Sequence, residues 1–65
     1  MWIARDKNQM LYVFEEKPIK NERFEIWSPL SADENFMDIN PNLFPEVKWE
    51  DEEPRELVLK PQNKE

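Results

Sequence analysis

The stretch WIARDKNQMLYVF, residues 2–14, decides how the chain folds. Two short runs rich in apolar residues, Trp2–Arg5 and Met10–Phe14, flank the polar residues Asp6, Lys7, Asn8 and Gln9. Strand-forming runs separated by a short turn-forming segment predict a β-hairpin. The chain contains no glycine, so its turns must be made by Asn, Asp and Pro. Asn8 is expected to take the positive φ in this turn, because its short polar side chain tolerates the left-handed region.

Side chains alternate across a strand. Leu11 and Val13 therefore face one way, and Tyr12 and Phe14 the other. A sheet that is apolar on both sides needs two covers. Residues 28–49 are one candidate for the second cover, and another copy of the chain is the alternative.

Beyond the hairpin, Pro18 closes the second strand. Residues 19–27 admit two readings. Ile19, Arg23, Ile26 and Trp27 fall along a helical stripe, with Pro18 at its first position. Alternatively, Phe24 and Ile26 alternate with Glu25 and Trp27 as a third strand ended by Ser28 and Pro29, a reading that the aromatic and β-branched content favours. Residues 28–35 have loop chemistry, and Phe36–Ile39 reads as extended. Asn40, Pro41 and Pro45 punctuate a single helical or 3₁₀ turn over residues 40–45. Residues 47–49 are expected to be extended, residues 55–60 to form the last strand, and residues 61–65 to be a frayed tail. The fold class expected is mainly β: a small antiparallel meander of three to four strands with one short helical turn, in one domain over residues 1–60.

The chain has 65 residues, with neither cysteine nor histidine. Disulfides are excluded, and a structural zinc site lacks its usual thiolate and imidazole ligands. Burial of apolar surface must stabilise the domain, and eight aromatic residues supply much of it. The same inventory excludes nucleophilic catalysis of the Ser-His-Asp and Cys-His kinds, and the lack of glycine excludes phosphate-cradling loops. Catalysis by paired carboxylates requires a cleft that drives two pKa values apart, which a domain of this size is poorly able to enclose. The expectation is a non-enzymatic protein without cofactor or metal. The longest apolar run, residues 10–14, is too short for a secretory signal or a membrane span, and a cytoplasmic protein is expected.

Net charge is −6. Residues 1–32 carry five acids and five bases, whereas residues 33–65 carry ten acids and four bases. Such a surface disfavours direct binding to nucleic acid or to an anionic membrane, and it suits a basic protein partner. The densest acidic run is Glu50, Asp51, Glu52 and Glu53. Four consecutive carboxylates point in different directions and lack the alternation and glycine of a calcium loop. The run reads as a solvated turn that keeps a sheet edge from pairing. Trp49, set among Glu46, Glu50 and Asp51, is the aromatic expected nearest a rim. Trp49 with Glu50, Asp51, Glu52 and Glu53 is therefore the candidate partner surface, since tryptophan is prominent in binding hot spots.

Two segments, MWIARDKNQMLYVFEEKPIK (1–20) and INPNLFPEVKWEDEEPRELVL (39–59), together resemble a group of short proteins of unassigned function from gut anaerobic bacteria, their prophages and other mobile elements. The likeness is carried by Trp2, Ile3, Ala4, Arg5 and Asp6, by the Leu11–Phe14 strand, by Lys17 and Pro18, and by Leu43, Phe44 and Pro45 with Trp49, Glu50 and Asp51. Such proteins often place an Asp-Gly pair in the first turn, where this chain has Asn8 and Gln9. The resemblance implies a bacterial or phage origin and no catalytic residue. Three functions follow as expectations. The first is an interaction or accessory protein acting through a protein surface, as a homodimer or with another protein. The second is an acidic decoy that imitates nucleic acid and occupies a basic host protein, and the third is a small carboxylate-based hydrolase or metal binder.

Overall fold

Trp2–Arg5 (β1) and Leu11–Phe14 (β2) form the predicted hairpin in register, with Trp2 opposite Phe14 and Arg5 opposite Leu11. The structure is a computed structural model, and it describes residues 1–57. The turn is closed by the amide of Asp6 donating to the carbonyl of Met10 (2.9 Å) and the amide of Gln9 donating to that of Asp6 (2.9 Å). Asn8 does not take the left-handed conformation. Its Oδ1 accepts from the amide of Met10 (3.0 Å), and Gln9 carries the positive φ of 81°. An asparagine whose side chain accepts from the amide two residues on leaves the backbone reversal to its neighbour.

The hairpin is the spine of a four-stranded antiparallel sheet in the order β5-β2-β1-β6, where β5 is Phe36–Ile39 and β6 is Arg55–Glu56. Both outer strands run antiparallel to the spine: Phe36 lies opposite Phe14, and Glu56 opposite Trp2. Residues 19–28 resolve the helix-or-strand ambiguity as a second hairpin, with Ile19–Asn21 (β3) paired to Ile26–Ser28 (β4). Phe24 belongs to its turn rather than to a strand: Asn21 Oδ1 accepts from the amide of Phe24 (3.1 Å), and Glu25 turns the chain with a φ of 61°. Buried Pro18 and Pro54 stand immediately before β3 and β6, where a residue without an amide proton costs no ladder bond.

No helix occurs among the described residues, and the mainly β, antiparallel architecture is as expected. Residues 40–43 form the expected single turn, closed by one i→i+3 hydrogen bond and not continued into a helix. The carbonyl of Asn40 accepts from the amide of Leu43 (3.0 Å), and its Oδ1 from that of Asn42 (2.9 Å). Residues 47–49 are not a strand, because the chain turns at residues 45–46 and again at 49–50. Of the expected last strand, Arg55–Glu56 is seen. Residues 58–60 and the expected tail over residues 61–65 lie outside the described residues.

The chain itself covers the centre of both apolar faces of the sheet, while Phe36 and Met37 of β5 stay exposed. On one face Ile3 and Leu11 pack with Val47, supported by Ile39 and Phe44. On the other, Ala4 and Phe14 pack with Trp27, supported by Trp2, Tyr12 and Trp49. Tyr12, Phe14 and Phe36 extend that second face as a ring cluster, with Phe14 and Phe36 stacked at 5.4 Å, a separation typical of favourable aromatic pairs. The covers are therefore residues 44–47 on one side and β4 with Trp49 on the other.

Candidate functional site

Two buried polar side chains near the end of β1 hold both covers in place. Arg5 alternates onto the face of Ile3 and Leu11, only 6% exposed. Residues 41–47 curl around its guanidinium. Nε donates to the carbonyl of Val47 (2.6 Å), Nη1 to those of Gln9 and Pro41 (2.9 Å each), and Nη2 to those of Leu43 and Phe44 (3.1 Å each). Five N–H donors meet five carbonyls, which is the full capacity of the group. Phe44 reaches this arrangement with a φ of 50°, a sterically costly value for a residue with a β-carbon. The opposite face is tied down by Asp6, whose Oδ1 accepts from the amide of Trp27 (2.8 Å), and by the indole Nε1 of Trp27, which donates to the carbonyl of Arg5 (3.1 Å). Burial pushes the Asp6 carboxyl above its usual range, and the hydrogen bond from Trp27 partly opposes that. Nearby, the Lys7 ammonium lies 2.8 Å from Glu25, and that contact raises its pKa.

With the cover fixed on Trp27, Trp49 lies edge-on to it at 6.4 Å between ring centres. Lys20 of β3 completes the cluster. Its ammonium sits 4.3 Å from the ring centre of Trp49 and 5.7 Å from that of Trp27. It also donates to the carbonyls of Trp49 (2.7 Å) and Asp51 (3.0 Å). A cation over two indoles and two carbonyls anchors the start of the acidic run.

The four carboxylates of that run diverge. Asp51 folds back on its own turn, where its Oδ2 accepts from the amide of Lys48 (3.1 Å) and lies 3.4 Å from Arg55 Nε. Glu53 pairs with Lys17 at 2.9 Å, and the Lys17 ammonium stands 5.7 Å from the ring centre of Trp2. Glu50 and Glu52 are exposed and make no ion pair among the described residues. Among these residues no three acids are grouped to hold a metal ion.

Trp49 and the acidic run form a ridge between two open grooves. One, about 480 Å³, runs past Gln9, Asn42, Lys48, Trp49 and Glu50. The other, about 390 Å³ and mostly apolar, runs past Ile19, Leu30, Glu52 and Glu53. The five predicted surface residues are thus contiguous, but they do not act alike. Trp49 is half-buried with one face against Lys20, Asp51 is engaged with its turn, and Glu50 and Glu52 reach solvent. Sequence reasoning missed Arg5 and Lys20, the cations that organise the surroundings. The available signal was position: each is a base inside a short strand, and Arg5 falls on the inward alternation with Leu11.

No helix among the described residues is long and apolar enough to cross a membrane. No family model matches the chain, and neither a curated protein nor a solved structure matches it.

Proposed function

We propose that this chain is a non-enzymatic interaction or accessory protein. In this reading it binds a protein partner with a basic surface through the ridge of Trp49, Glu50 and Glu52. The carrying observation is the ridge itself: a partly buried indole, held by Lys20 and Trp27, stands beside two carboxylates that make no ion pair among the described residues, and between two open grooves. A rigid aromatic side chain gives contact area at small entropic cost, and a rim of like charge steers an oppositely charged partner. Asp51 and Glu53 are already engaged with Arg55 and Lys17. Among the described residues that leaves two carboxylates of the run without an ion pair, too few to trace a phosphate backbone, so a specific protein contact is favoured over imitation of nucleic acid. Affinity capture from native host lysate tests the reading, with the Glu50→Lys/Glu52→Lys double variant as the paired bait. A partner held by the wild-type chain, released by salt and lost with the double variant is the expected result. Identical captures by the two baits would overturn the proposal.

A further inference from the structure

The two edges of the four-stranded sheet are unlike. Among the described residues the β6 edge is two residues long, and it is flanked by Pro54, Glu52 and Glu53, which discourage pairing with another chain. The β5 edge spans four residues and carries a single charge, Asp38. Phe36, Met37, Asp38 and Ile39 include no proline and no base. Among the described residues no group outside β2 hydrogen-bonds to them. Met37 is 63% exposed, and with Met1, Val13 and Phe36 it lines a shallow, largely apolar groove of about 110 Å³.

We propose that two copies of this chain pair through β5, antiparallel, about a twofold axis at Met37, joining two four-stranded sheets into one of eight strands. The register follows from alternation and charge. A twofold axis perpendicular to a continuous sheet keeps each face on the same side, so facing residues share a face and their numbers sum to an even value. Centring the pair on Phe36 sets Glu34 against Asp38 of the other copy, and centring it on Asp38 sets two carboxylates against each other. Like charges directly opposite are destabilising. Centring on Met37 sets Met37 against its copy, Phe36 against Asp38 and Asn35 against Ile39, with no like-charged pair. The pattern of apolar and acidic positions on this strand thus suits its own copy.

A four-residue contact is small beside the roughly 1,200 Å² lower bound of standard interfaces, so pairing is expected at high micromolar concentration. Two bodies of charge −6 repel, so added salt should strengthen it.

The proposal deepens the interaction reading but uses a different surface, so the two fail separately. A monomer would leave capture through the ridge untouched, and a failed capture would leave the mass measurement untouched. Sedimentation equilibrium from about 10 µM to 1 mM, at 0.15 and 1 M sodium chloride, is the test. A rise from the mass of one chain towards two, reached at lower concentration in high salt, is expected. Met37→Lys places two ammonium groups face to face and should weaken pairing at least tenfold while leaving circular dichroism unchanged. If that variant misfolds, a mixed sample of labelled and unlabelled wild-type chains replaces it, and the Met37 methyl must then show a contact to the other chain. A single-chain mass throughout, undiminished pairing by folded Met37→Lys, or a dimer without that methyl contact would each overturn the proposal.

Discussion

Replacing Arg5 with lysine keeps the charge and most of the length but removes the fork. The guanidinium offers five N–H donors to five carbonyls, whereas an ammonium has three donors. At least two carbonyls therefore lose their bond. An unsatisfied buried acceptor costs about 1–3 kcal/mol. Four of the five bonds are only part-buried, and the Phe44 carbonyl keeps the amide of Val47 at 3.0 Å, which places the loss near the low end. The expected destabilisation is about 2–4 kcal/mol by that count. At roughly 0.05–0.15 kcal/mol per residue, a chain of this length has about 3–10 kcal/mol in all. Urea unfolding followed by tryptophan fluorescence should show a midpoint moved far towards water. Thermal unfolding should show a Tm lower by roughly 10–30 °C for a domain of this size. The deficit should be nearly independent of salt, because the bonds run to carbonyls within the protein and not to an exposed ion. If Arg5→Lys unfolded within about 0.5 kcal/mol of the wild type, the size of an ordinary surface substitution, the guanidinium would not be what shapes residues 41–47.

Two further outcomes follow from the same cluster. Because burial raises the Asp6 pKa, the folded state holds that proton more tightly than the unfolded chain, whose value lies near 3.9. Asp6 therefore costs no stability below that value, and stability is lost as pH rises through the folded pKa. Asp6→Asn, which keeps an oxygen acceptor for the Trp27 amide, should gain on the wild type as pH climbs from 3 to 7 in urea titrations, and a pH-independent difference would remove the argument. Lys20→Met keeps the stem of the side chain but loses the ammonium over two indoles and its two carbonyl bonds. The expected cost is about 1–3 kcal/mol, with Trp49 becoming more accessible to iodide, and unchanged quenching would show that Lys20 does not hold that ring.

How much of this could be read beforehand varies with the range of the forces involved. The first hairpin was legible because its signal is local: two short apolar runs separated by turn-forming residues. Phe36–Ile39 was legible for the same reason. Residues 19–27 stayed ambiguous because both patterns were present, and tertiary contacts decided between them. The amide and indole of Trp27 bond to Asp6 and to the carbonyl of Arg5, some twenty residues earlier in the chain. The single turn over residues 40–43 was legible from Asn40 and Pro41, but what holds the chain beyond it was not. Asn40 caps it as foreseen, but the carbonyls that a helix would retain are turned towards Arg5 instead. That demand comes from a side chain almost forty residues away and leaves no trace in local propensity. For the candidate site, the contiguity of Trp49 with the acidic run followed from adjacency in sequence. The division of that run into two engaged and two outward carboxylates did not, because it depends on where Lys17 and Arg55 arrive.

The spine of the sheet is made first during synthesis, and both of its covers come later. At about 5–20 residues per second, residues 15–49 take about 2–7 s to follow the hairpin out of the ribosome. Hairpins close within microseconds, so Ile3, Leu11 and Phe14 wait, ready to pair but with nothing to lie against. Until residues 44–49 follow, both apolar faces of the hairpin are open to contact with other chains.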